Sequence, residues 1–153
     1  LSRLERYEEG KAAFETVTQL NPEAAPAFYN MGIALGLLGR HPEAIASQKR
    51  VIHLTPNFAP AYFAIGESLT KLDRNTEAVQ AYTESIRVDP DFAPAHLGLG
   101  LARVKQGKRA GALEEYKILM KLDENLARNL FQRIYPEDEP EPKPKRAPKQ
   151  RQP

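Results

Sequence analysis

The sequence predicts an all-α solenoid of stacked helix–turn–helix repeats. Three observations carry that prediction. Similar blocks recur 34 residues apart: PEAAPAFYNMG from Pro22, PNFAPAYFAIG from Pro56 and PDFAPAHLGLG from Pro90. Within each block apolar residues return three and four apart, the period of a helix and not of a strand. Seven columns agree at that one offset: the proline, each member of the Ala-Pro-Ala triplet, a ring (Phe28, Tyr62, His96), a glycine (Gly32, Gly66, Gly100) and an alanine (Ala44, Ala78, Ala112).

Taken in order, residues 1–24 read as half a repeat, the second helix of a pair closed by Pro22. Tyr7, Phe14, Val17 and Leu20 fall in register on a helix over 4–20. Its own first helix is missing, so it is expected to carry an uncovered apolar edge, with the natural chain continuing upstream of Leu1. Full repeats follow at 25–58, 59–92 and 93–126. In the first, Phe28, Met31 and Leu35 share a helical face, and Ala44, Gln48 and Val51 mark a second helix after the break at Gly39. Pro26, Pro60 and Pro94 suit the first turn of a helix, where a missing N–H costs nothing, and Pro42 does the same for the next one. Gly39, Asp73 and Gly107 sit where a helix must end on a left-handed residue. Pro56 and Pro90 stop the second helix of each pair. Gly32 with Ala44, Gly66 with Ala78 and Gly100 with Ala112 are expected to face each other across the turn, small against small. A capping helix is expected over 124–135, with Leu126, Leu130, Phe131 and Ile134 on one side and Asn125, Arg128, Asn129, Gln132 and Arg133 on the other. The tail 136–153 has six prolines and separate acidic and basic blocks, and is expected to be disordered.

Composition limits the chemistry. Hydrophobic residues make up 41% and charged residues 27% of the 153, a globular balance. Lys plus Arg number 22 against 20 Asp plus Glu, so the folded part lacks the basic excess of a nucleic-acid binder. No apolar run approaches the ~20 residues of a membrane span. The expected location is cytoplasmic. With no Cys there are no disulfides, thiolate metal sites or Cys nucleophiles. His41 and His53 begin and end one helix, about 18 Å apart at 1.5 Å per residue. His96 belongs to the ring column and is expected to pack as a ring. The stretch 98–109, GLGLARVKQGKR, lacks the spacing of a phosphate loop and has Arg109 where a hydroxyl should follow the lysine. The carboxylate pairs Glu8-Glu9 and Glu114-Glu115 point different ways and are expected to be solvated. These features predict no catalytic residues, no metal and no cofactor. Arg103, Lys105, Lys108 and Arg109 cluster within reach of the acidic stretch 137–141.

The period and the residues Tyr62, Ile65, Gly66, Leu69, Ala78, Tyr82 and Pro90 resemble one unit of the tetratricopeptide repeat, and the resemblance covers about 1–126. The chain departs from that pattern at Gln48, where an aromatic is usual, at Arg103, where a large apolar residue is usual, and at Glu124, in place of the closing proline. The resemblance implies a right-handed superhelix whose concave face is lined by the first helix of each pair and binds peptides. Mapped onto this sequence, that face holds Tyr29, Ile33 and Leu37, then Phe63, Glu67, Thr70 and Lys71, then Leu97, Leu101, Val104 and Lys105. The implied function is a protein-interaction scaffold that takes a partner peptide in an apolar groove. The alternative is a structural domain that self-associates through uncovered terminal helices. Glu67 and Lys71, with the acid four residues ahead, read either as an ordinary helix ion pair or as a polar stop that sets peptide register. One subtype of the family grips acidic C-terminal chaperone peptides with Lys, Asn and Arg. Its positions here hold Tyr29, Ile33, Ala64, Pro94 and Gly98, so the resemblance implies no such grip.

Overall fold

Turn chemistry cuts this chain into helices. In the computed structural model, which describes residues 2–136, they are α1 (Arg3–Leu20), α2 (Ala25–Leu37), α3 (His41–Leu54), α4 (Ala59–Lys71), α5 (Asn75–Val88), α6 (Ala93–Lys105), α7 (Arg109–Leu122) and α8 (Glu124–Ile134). No strand occurs among the described residues. The proline-rich tail expected to be disordered lies, from residue 137 on, outside them. Pro26, Pro42, Pro60 and Pro94 all fall in the first two positions of their helices. Gly39, Asp73 and Gly107 take left-handed φ of 75°, 57° and 72°, as the sequence requires. Each turn repeats one hydrogen bond across this residue: Arg40 N to Leu35 O at 2.9 Å, Arg74 N to Leu69 O at 2.9 Å and Lys108 N to Arg103 O at 2.8 Å. That bond satisfies a carbonyl left over at the helix end and fixes the angle at which the partner helix returns.

Each helix packs against the next, so α2–α3, α4–α5 and α6–α7 form hairpins. The first helices also touch one another, α2 against α4 and α4 against α6, whereas α3, α5 and α7 do not. One row is thus closer-set than the other, and the stack curves with α2, α4 and α6 on its inner side. α8 packs on both α6 and α7, as α4 packs on α2 and α3. It closes the last repeat with Ala127, Leu130 and Ile134 buried. At the other end no residue of α1 is buried, and Leu4, Val17 and Leu20 are 61%, 44% and 82% exposed. That is the uncovered apolar edge expected of a helix lacking its partner.

The small-residue columns do more than let backbones approach. Ala44, Ala78 and Ala112 are at most 1% exposed. The glycines also make room for large side chains. A Cβ on Gly32 would lie 2.5 Å from Gln48 Nε2, one on Gly66 2.5 Å from the Tyr82 ring, and one on Gly100 2.5 Å from Leu130 of α8. In the first two repeats the partner is the long side chain four residues beyond the alanine, one helical turn further along. In the third it comes from the capping helix.

Candidate functional site

The inner row carries the residues mapped from sequence, and cavities open along it, one of them, about 480 Å³, beside Thr70, Lys71, Leu101, Val104 and Lys105; two others adjoin Glu67. The first, about 180 Å³, lies between α2, α3 and α4 and is bordered by Ile33, Leu37, Ala64, Glu67 and Lys71. The second, about 300 Å³, lies between α4, α5, α6 and α8, with Phe63, Thr70, Leu97, Leu101 and Leu126 on its wall. Glu67 and Lys71 border both, so this polar pair stands between two apolar compartments. Ile33 and Leu37 are 36% and 53% exposed, which is high for large apolar side chains on an inner face. Glu67 is open to solvent along one side, but partial desolvation against the groove walls holds its carboxyl above the usual carboxylate range, and Lys71 offsets this only as a nearby charge, without a hydrogen bond. The pair therefore does not behave as the closed ion pair that its spacing suggests.

The other mapped residues are engaged within the fold. Tyr29 sets its ring edge-on to Phe58 at 5.1 Å. Phe63 packs between Tyr82 at 5.8 Å and Phe92 at 5.7 Å. Thr70 Oγ1 is 2.9 Å from the Gly66 carbonyl and 3.1 Å from the Tyr82 hydroxyl. Leu97, Leu101 and Val104 are partly buried against the cluster that α8 completes. Lys105 Nζ reaches Asp73 Oδ1 at 2.6 Å. The apolar surface of the third repeat is thus covered in part by the chain's own last helix, and the exposed apolar groove lies mainly along α2 and α4.

Sequence reasoning passed over Gln48, His41, Ser68 and Gly36, all of which border the first cavity. The signal was present: Gln48 breaks the aromatic column, and Gly36 stands one period before Thr70.

The third repeat corrects a second expectation. Glu115 is not solvated: it is 5% exposed, while its neighbour Glu114 is exposed and pairs with Lys117. His96, 4% exposed, packs as the ring expected of it and also bonds at both nitrogens. Its Nε2 donates to the Pro90 carbonyl at 2.8 Å, matching the bond from the Tyr62 hydroxyl to Pro56 one repeat earlier at 3.1 Å. Its Nδ1 shares a hydrogen with Glu115 Oε2 at 2.7 Å. Arg103, the residue out of place in an apolar column, reaches Glu115 Oε1 at 2.6 Å and the Gly111 carbonyl at 3.0 Å. Three polar substitutions, one in each of three columns, therefore satisfy one another. Arg103 and Lys105 of the basic cluster are thus engaged within the fold, as is Arg109, whose guanidinium lies over the Tyr135 ring at 4.1 Å; the acidic stretch 137–141 falls outside the described residues.

Among the described residues no group of three or more His, Asp or Glu side chains is arranged to hold a metal ion. No helix among them is long and apolar enough to cross a membrane.

Helix hairpins of constant length, stacked by a shared set of small and large residues and closed by a polar-faced helix, define an α-solenoid repeat protein. Comparison with protein families agrees: residues 1–57 match the family described as tetratricopeptide repeat, and residues 66–107 match a second described as TPR repeat. The chain belongs to the tetratricopeptide repeat family. No curated protein sequence matches it. Several solved structures share the fold. A MamA protein superposes with a TM-score of 0.75 at 23% identity, covering 85% of this chain and 70% of that one. TTC0263, a thermophilic TPR protein of Thermus thermophilus, gives 0.74 at 25% identity, with 86% and 74% covered. The first TPR of Spaghetti (RPAP3), solved with the HSP90 peptide SRMEEVD, gives 0.68 at 19% identity, with 72% and 89% covered. The tetratricopeptide fold supports protein–protein interaction in general, and this chain has that fold.

Proposed function

We propose that the chain is an interaction scaffold that holds an extended or helical segment of a partner protein along the inner face of α2 and α4, continuing over the open part of α6. The observation that carries this reading is the pair of adjoining apolar cavities on that face, with Ile33 and Leu37 left in water beside the first. Apolar surface of this kind is what a peptide can remove from solvent. Glu67 and Lys71, between the cavities, set the register of the bound segment: apolar side chains enter on either side of a polar one.

Selection from an unbiased peptide library, followed by chemical-shift mapping on the labelled full chain, tests the reading. Shifts should cluster on Ile33, Leu37, Phe63 and Glu67, and Ile33→Ser should weaken the selected peptides about tenfold or more. Shifts confined to the outer row, or none at saturation, would refute it. The Lys/Asn/Arg positions hold no cation here, so a peptide ending in acidic residues and a free carboxylate should not bind. Detectable affinity for such a peptide, lost on Phe63→Ala, would contradict the mapping.

The exposed apolar residues of α1 favour a second reading, assembly through that helix. Light scattering should then report growth with concentration that Leu4→Glu with Val17→Glu abolishes. A molecular weight independent of concentration leaves the peptide groove as the function.

A further inference from the structure

Among the differences between the second helices of the first two repeats, one borders the first cavity: Gln48 of α3 stands where α5 has Tyr82. In α5, Tyr82 is 4% exposed and fits between two glycines: a Cβ on either Gly66 or Gly98 would lie 2.5 Å from its ring. Its hydroxyl meets Thr70 Oγ1 at 3.1 Å. One period earlier the corresponding residues are Gln48 for Tyr82, Ala64 for Gly98 and Gly36 for Thr70. The Ala64 methyl bars a ring, the glutamine is narrower, and Gly36 offers no side chain to close the tip. What remains is the opening of about 180 Å³ beside Gln48.

Gln48 is 1% exposed, and its Nε2 donates to the Tyr29 carbonyl at 3.1 Å. A carbonyl only accepts, so this bond settles which end of the amide is which. The other end, Oε1, is therefore an acceptor; it is buried and has no partner. His41 Nδ1, on the same cavity, is likewise buried without a partner. Buried acceptors are seldom left unsatisfied in folded proteins, and one that is invites a donor from elsewhere. Ile33, Leu37 and Ala64 give the wall its apolar part, and Ser68, Glu67 and Lys71 also border the cavity. Desolvation of the Glu67 carboxyl, which Lys71 offsets only in part, is what a bound cation would relieve.

We propose that this cavity is a lysine subsite, which takes an aliphatic stem ending in a primary ammonium from the bound partner. The inference rests on the inner-face groove proposed above. The stem lies on Ile33, Leu37 and Ala64, while the ammonium donates to Gln48 Oε1 and pairs with Glu67. A phenylalanine would leave Oε1 without a donor, and an acidic side chain would face Glu67. One repeat on, the corresponding cavity has Tyr82 in place of Gln48 and Leu101 in place of Glu67, so it offers an ammonium neither the amide acceptor nor the carboxylate.

The test titrates the full-length labelled chain with n-butylammonium, n-butanol and n-butyrate, following the Gln48 side-chain amide and the Gly36 and Ser68 backbone amides. The ammonium should saturate at those signals and bind at least about fivefold more tightly than the alcohol, with the butyrate weakest. Gln48→Met keeps the volume and removes the acceptor, and should weaken the ammonium about fivefold. Glu67→Gln keeps the shape of the side chain and removes its charge, and should weaken it about threefold or more. Library peptides that compete with the ammonium should carry a lysine, and replacing that lysine with norleucine should end the competition. If the three probes bind alike, or if neither substitution matters, the subsite is refuted while the groove stands. If the ammonium binds but the selected peptides map away from α2 and α4, the groove fails and the lysine assignment falls with it.

Discussion

Removing the Glu115 carboxylate should destabilise the last repeat far more than removing a surface carboxylate. Its side chain is 7% exposed between His96 at 5% and Arg103 at 30%. Breaking a buried ion pair from one side costs about 3–5 kcal/mol, because the abandoned partner stays desolvated. Arg103 is partly open and can turn toward water, which puts Glu115→Ala near the lower end, about 3 kcal/mol. Replacing the whole set should behave differently. The preceding repeat carries Tyr62, Leu69 and Ala81 at the same three positions, and there the tyrosine bonds to Pro56 while Leu69 and Ala81 are buried. The triple substitution His96→Tyr, Arg103→Leu and Glu115→Ala thus installs a set that already packs in this architecture. Exchanging buried ionic groups for well-packed apolar ones is typically neutral or stabilising by about 1–4 kcal/mol. Urea unfolding followed by helical circular dichroism measures both. With slopes of about 1–3 kcal/mol per molar, Glu115→Ala should lower the midpoint by about 1–3 M, and the triple variant should match or exceed the parent. Glu77→Ala, which breaks only the exposed Arg74–Glu77 pair, serves as control and should leave the midpoint unchanged. A shift below about 0.3 M for Glu115→Ala, or a triple variant that equals the sum of its singles, would refute the reasoning.

Three further outcomes follow from local geometry. Gly66→Ala drives a methyl into the buried Tyr82 ring and should destabilise by about 1–3 kcal/mol despite the better helix propensity of alanine, whereas Gly36→Ala, with nothing within 4 Å, should stabilise by roughly 0.5–1 kcal/mol; thermal melts separate the two. Asp73→Gly relieves a left-handed backbone of φ 57° and gives up only an exposed pair with Lys105, so calorimetry should find a net gain of about 0.5–1 kcal/mol. Partial desolvation raises the Glu67 carboxyl, with Lys71 on its own helix and His41, Tyr29 and Tyr82 as the other titratable groups nearby, so the folded chain holds this proton more tightly than the unfolded one. Stability should therefore fall as pH rises from the ordinary carboxylate range through the raised folded value and be level above it, and Glu67→Gln should remove that slope in a stability series from about pH 4 to 7.

The repeat and its helices were legible without coordinates because their causes are local. A proline in the first turn, a left-handed residue at the helix end and an apolar stripe at helical spacing each act within a few residues, and each recurs one period on. The partner of each glycine was not legible. Which large side chain a glycine admits depends on how one helix leans on another, and those nearest are Gln48, Tyr82 and Leu130. The same holds for Glu115: a carboxylate among charged neighbours on an amphipathic helix reads as solvated until the hairpin brings His96 and Arg103 over it. Local sequence thus determined that this chain is an α-solenoid of tetratricopeptide type. Only the tertiary structure decided where its side chains leave room, because a cavity is set by what several separate helices fail to fill, and no short stretch of sequence contains more than one of its walls.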